Sequence, residues 1–128
     1  MSNKLHARHN RDACDELLRA TAYKDWVVTT AFYSSLHFVQ HEIFPLVVAG
    51  QSHDTFESYY RNIPRGTRRS KHSETVKLVH DHIPNISWRY KWLHDECMSA
   101  RYRKYRVKAG FDVIARTYLR EIEAAMNK

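Results

Sequence analysis

Residues 26–44 form a segment that is apolar on almost every side, and this limits the possible folds more than any other feature of the chain. Trp26, Val27, Val28, Ala31, Phe32, Tyr33, Leu36, Phe38, Val39 and Ile43 leave no polar stripe of the width that a surface helix carries. Asp25 stands where it can cap such a helix, and Pro45 stops it from continuing. A helix apolar nearly all round must be wrapped by other helices, so it is expected at the centre of a bundle.

The remaining segments supply the wrapping. Residues 5–22 carry Ala13, Leu17 and Leu18 on one face and Arg8, Arg11, Asp15 and Arg19 on the other. Residues 54–61 read as a short helix holding Phe56, Tyr59 and Tyr60, after an open loop at residues 49–52. Ser70 can cap a helix that runs to His82, with Val76, Leu78 and Val79 inward and Pro84 ending it. Residues 87–105 place Tyr90, Leu93, Cys97 and Ala100 on one stripe, and residues 111–126 repeat apolar positions at helical spacing from Phe111 to Ile122. With only 3 Gly and 3 Pro in 128 residues, a turn-rich β architecture is disfavoured. The expected fold class is all-α: an antiparallel up-and-down bundle of four main helices plus one or two short ones. A single domain is expected over residues 1–128, since neither a repeat nor a linker interrupts the pattern.

Residues 1–12 are polar and basic, without the apolar run of a secretory signal. The longest apolar run, residues 43–49, contains Pro45 and falls far short of the ~20 residues needed to cross a bilayer. Cys14 and Cys97 each sit among apolar neighbours in a helical pattern and are expected to be buried free thiols. The cytoplasm is the expected compartment, and no membrane partner is expected.

The net charge of +7 favours an anionic partner, and its distribution says more than its sum. Arg61, Arg65, Arg68, Arg69 and Lys71 make one run; Arg101, Arg103, Lys104, Arg106 and Lys108 make another, and neither run includes an acid. The second interleaves its cations with Tyr102 and Tyr105, a composition suited to phosphate contacts and base stacking. Packing of those tyrosines on the last helix explains the same pattern equally well.

The order of several motifs carries a resemblance. Tyr23-Lys24-Asp25-Trp26 followed by an apolar helix with Phe32-Tyr33, then Ser70-Lys71-His72, then Ser99-Ala100-Arg101-Tyr102, resembles the HEPN family across nearly the whole chain. The resemblance implies a helical bundle, usually a homodimer, that in active members cleaves RNA without a metal in prokaryotic toxin–antitoxin or phage-conflict settings. The family's motif is an Arg followed after four to six residues by a His. In that chemistry the Arg steadies the scissile phosphate and the His transfers protons. Here no His follows Arg101, and Tyr105 stands where one would; the spacing itself recurs at Arg89 to His94 and Arg65 to His72. What the resemblance implies for this chain is a catalytic set of His72, Arg101 and Tyr105. Arg65, Arg68, Arg69, Lys71, Tyr102, Arg103, Lys104 and Arg106 would bind RNA or a nucleotide. The alternative is a non-catalytic adaptor that dimerises or binds a partner protein such as a nucleotidyltransferase.

No cofactor is expected. Glycine-rich phosphate loops, nucleophile elbows and paired-cysteine motifs are all missing from the sequence. His37 and His41 share a helical face without a third ligand nearby, so His37 is read as a hydrogen-bonded core histidine and no metal is expected.

Overall fold

A computed structural model describes residues 2–103 and 106–128. Its elements run α1 (Asn3–Ala20), α2 (Lys24–Ile43), β1 (Leu46–Val48), β2 (Gln51–His53), α3 (Phe56–Arg61), α4 (Lys71–His82), a 3-10 turn (Pro84–Ile86), α5 (Ser87–Tyr102) and α6 (Phe111–Ala125). The fold is an all-α bundle with one small hairpin.

The apolar helix is central, as its composition requires. Val27, Val28, Ala31, Phe32, Phe38 and Val39 of α2 are buried, and α1, α4, α5 and α6 all pack against it. Each fully buried aliphatic or aromatic side chain contributes roughly 1.5–3 kcal/mol, so this one helix supplies much of the core. Trp26 lies beside Arg101, and Phe32 beside Tyr90 at 5.6 Å, so α2 and α5 run antiparallel. Ala115, Leu119 and Ile122 form the buried stripe of α6. Both thiols are buried, and burial pushes Cys14 and Cys97 up to about 11, which leaves them poor nucleophiles.

Local chemistry explains most boundaries. Ser70 caps α4 by accepting from the Ser73 N–H at 3.2 Å, as expected. Asp25, in contrast, lies inside the first turn of α2, where its carboxylate faces the positive end of the helix dipole without closing the cap. Residues 49–52 are not an open loop. Leu46 pairs with His53 and Val48 with Gln51 around a two-residue turn in which Ala49 and Gly50 have φ of 51° and 79°. Two consecutive positive φ values match the twist of a two-residue hairpin turn, and the β-branched valines favour the strand.

The outer face expected for the first helix also needs correcting. Arg11 and Asp15 do not face solvent but turn to α6: Arg11 pairs with Glu123 at 2.7 Å, and Asp15 accepts from Arg116. The sequence pattern marks both positions as polar, but only the position of α6 supplies their partners. Val76 is only half-buried, and α5 ends at Tyr102.

Candidate functional site

The antiparallel crossing of α2 and α5 sets two stripes side by side. On α2 the stripe is Trp26, Thr29 and Tyr33; on α5 it is Arg101, Cys97 and His94, each set spaced by three or four residues. The Ser70 cap starts α4 just in time for His72 to lean onto the same ground. Its ring is 5.5 Å from Phe32, 6.3 Å from Tyr33 and 5.6 Å from His94. Phe32, at 5.6 Å from His94 as well, is the apolar floor beneath both imidazoles.

The two histidines are held differently. His94 Nδ1 lies 2.9 Å from Asp95 Oδ1, and Lys91 donates to the other carboxylate oxygen at 2.7 Å. A carboxylate can only accept, so His94 Nδ1 carries a proton and donates it to Asp95. Partial burial raises the Asp95 carboxyl, but the hydrogen bonds from Lys91 and His94 outweigh it and hold the group below the usual carboxylate range. Neither ring nitrogen of His72 has a hydrogen-bond partner among the described residues. Burial, and then the charge of His94, push its pKa below that of an ordinary imidazole.

The two histidines open onto different clefts. His94 lines one of about 340 Å³ with Arg69, Ser73, Lys77, Lys91 and Asp95 among others, so Arg69 and Lys77 join the Lys91–Asp95 pair around that imidazole. His72 lines the other, of about 150 Å³, with Leu36, Gln40, Glu57, Lys71 and Thr75.

Arg101 does not touch His72. Its guanidinium lies 5.6 Å from the Trp26 ring and 5.8 Å from the Tyr102 ring, and no carboxylate pairs with it among the described residues. The common neighbour is Tyr33, whose ring packs near His72. Burial, then Cys97, raise the Tyr33 hydroxyl above its ordinary value, and the charge of Arg101 opposes that rise. His72 and Arg101 therefore flank one tyrosine instead of meeting.

The other residues expected from sequence scatter. Arg65 is exposed and has no ion pair or hydrogen bond from its side chain among the described residues, Arg68 lies 4.7 Å over the Tyr60 ring, and Lys71 pairs with Glu57 at 3.0 Å. The Tyr60 hydroxyl donates to the Arg69 carbonyl at 2.7 Å and pins the basic loop to α3, which leaves the Arg69 side chain free to line the larger cleft. Tyr102 and Arg103 are exposed at the end of α5, and Arg106 lines a separate cleft with Thr21 and Asp25. Lys104 and Tyr105 lie outside the described residues. The Arg89 to His94 spacing joins nothing: Arg89 points to α6, where it pairs with Glu121 and lies 4.3 Å over Trp88.

His94, Tyr33 and Trp26 were not among the expected site residues. The seven-residue interval from His94 to Arg101, two turns along one helix face, is the sequence signal that marks His94. No three His, Cys, Asp or Glu side chains gather as a metal site among the described residues. His37 behaves as a held histidine: Nδ1 lies 2.9 Å from Asn3 Oδ1 and the ring stacks on His6 at 4.1 Å. No helix of the described residues is long and apolar enough to cross a membrane. Comparison with protein-family models, with curated proteins and with solved structures found no match.

Proposed function

We propose that this chain is a HEPN-like, RNA-associated protein, homodimeric and of the prokaryotic toxin or phage-conflict kind, that cleaves RNA without a metal ion. The observation that carries the reading is His72. It is a half-buried imidazole with neither nitrogen hydrogen-bonded among the described residues; it lines one small cleft and touches a second imidazole that lines a cleft with Arg69, Lys77 and Lys91.

The chemistry follows from the pair. One neutral imidazole accepts the proton of a ribose 2′-hydroxyl as that oxygen attacks the adjacent phosphorus; the other, protonated, gives its proton to the departing 5′-oxygen. The P–O bond that forms is matched by the one that breaks, leaving a 2′,3′-cyclic phosphate and a 5′-hydroxyl. Burial, then the charge of His94, disfavour a proton on His72, which suits His72 to the accepting role. Arg69, Lys77 and Lys91 hold the phosphate, with Arg101 on its neighbour.

The test is cleavage of a labelled RNA by purified protein in excess EDTA. The expected result is a cyclic-phosphate product and a loss of roughly 10²–10⁴-fold in rate for His72→Ala. Cleavage that persists in His72→Ala would remove His72 from the chemistry.

The absence of contact between Arg101 and His72 favours a second reading, a non-catalytic adaptor that binds a partner protein such as a nucleotidyltransferase, or a nucleotide. Full-length RNA after prolonged incubation, together with stable co-elution with such a partner, would select it.

A further inference from the structure

Trp26 is out of place in its own helix. Val27, Val28, Ala31 and Phe32 are buried, yet Trp26 is 48% exposed, and across from it Tyr102 is 71% exposed. A single exposed aromatic is ordinary. These two are not single, because the Arg101 guanidinium lies within 6 Å of both rings and is paired to no acid among the described residues. Between α2 and α5, Trp26 and Arg101 open onto a cleft of about 230 Å³ that Asp25, Thr29 and Ala100 also line, with Tyr102 outside it.

Two exposed rings that share one planar cation, itself paired to no acid among the described residues, form an arrangement for an unpaired nucleobase and the phosphate attached to it. The rings offer stacking that every base satisfies, while the guanidinium meets phosphate oxygens in its plane. A duplex hides its base faces and would gain only the charge. A protein partner would be expected to bring a carboxylate to Arg101 and cover a contiguous apolar patch, whereas what surrounds Arg101 here is π-faces with polar Asp25 and Thr29.

We infer that Trp26 and Tyr102, with Arg101 between them, form a base-stacking subsite that selects single-stranded RNA over duplex. The inference rests on the proposed RNA function and extends it to substrate class. Seven residues separate Trp26 from Tyr33 on α2, and seven separate Arg101 from His94 on α5, about 10 Å along each helix. The subsite therefore receives a nucleotide close to, but not at, the imidazole pair. It would position the strand; it would take no part in proton transfer.

The experiment is fluorescence anisotropy of the full chain with a labelled single-stranded RNA, the same sequence as duplex, an abasic oligonucleotide of equal length, and adenosine monophosphate as competitor. Trp26→Ala and Tyr102→Ala are each expected to weaken single-strand binding about tenfold, with the salt slope unchanged and with little effect on duplex or abasic binding. Arg101→Ala should lower the salt slope by about one. Both aromatic positions are exposed, so the variants should keep the parent's helical circular dichroism, and agreement between two independent positions guards against a folding artefact in either. If both bind single-stranded RNA as the parent does while His72→Ala still abolishes cleavage, the subsite is overturned and the proposed function stands. Parent protein that binds no single-stranded RNA overturns both. Adenosine monophosphate that competes as strongly as the oligonucleotide overturns the strand assignment in favour of a free-nucleotide site.

Discussion

Among the described residues two pairs of imidazoles are neighbours, and they are built to opposite ends. His6 and His37 stack nearly parallel, 15° apart at 4.1 Å, and His37 uses Nδ1 to bind Asn3, so the pair ties α1 to α2. His72 and His94 are tilted 58° at 5.6 Å, share the edge of Phe32 and leave the His72 nitrogens unused. The charges around them follow suit. On the α1 and α6 side Arg11 and Arg116 have their carboxylates, whereas Arg69 and Arg101, on the α4 and α5 side, have none among the described residues. A polar group whose valences are filled by the protein holds the protein together; one left unfilled in a basic cleft is available to something else.

The largest effect that can break this contrast is on stability. Asp15→Ala should cost about 2–3 kcal/mol, because it strands the largely buried Arg116, whose Nη1 already lacks a partner. Arg101→Ala should stay within about 0.5 kcal/mol of the parent, since it removes an exposed cation with no ion pair among the described residues. Urea denaturation of the two variants checks this. Equal losses would mean that Arg101 is as architectural as Arg116.

A smaller effect separates the histidine pairs by pH. Burial, then the charge of His6, push His37 down to about 4. The sign follows from where the proton goes first. Below pH 6.5 the unfolded chain protonates this residue while the folded chain does not, so stability complete above that pH is lost as pH falls toward 4. With the ring only partly buried, the loss is on the order of 1–2 kcal/mol. His37→Gln should flatten the decline in stability between pH 7 and pH 5 more than His72→Gln does. Equal flattening would make the two pairs alike in their contribution to folding.

What could be read from the sequence divides along the same line. The central helix, the Ser70 cap, the α6 stripe and the buried thiols follow from periodicity and local capping, which depend on neighbours within one or two turns. The hairpin was missed because its turn begins with Ala49, not with the Asn or Asp that usually announces two positive φ values. Among the site residues, His72 and Arg101 were legible as members of short motifs. His94 shares a helix face with Arg101 at an interval of seven, a signal that went unused, whereas Tyr33 matters only through the crossing of α2, α4 and α5, and no spacing along one helix encodes which residues of another will lie opposite. Arg11 and Asp15 failed for the same reason: a polar position on a helix looks identical whether it meets water or a partner's charge.

The smallest effect probes the seam between the two sides, at the turn from α1 to α2. Thr21 closes α1 with φ of 58°, a left-handed conformation that a β-branched residue adopts at a cost of about 1–2 kcal/mol. Glycine pays no such penalty but loses more freedom on folding, roughly 0.5–1 kcal/mol. The exposed bond from Thr21 Oγ1 to the Ala20 carbonyl, 2.8 Å, contributes little in water. Thr21→Gly should therefore gain about 0.5–1 kcal/mol and raise Tm by about 2–4 °C in a thermal melt. Thr21 also lines a cleft with Asp25 and Arg106, one residue from Trp26 along α2. If this turn is purely architectural, affinity for single-stranded RNA is unchanged while Tm rises. A stabilised variant that binds RNA more weakly would show that the strained turn sets the position of Trp26 and belongs with the α4 and α5 side.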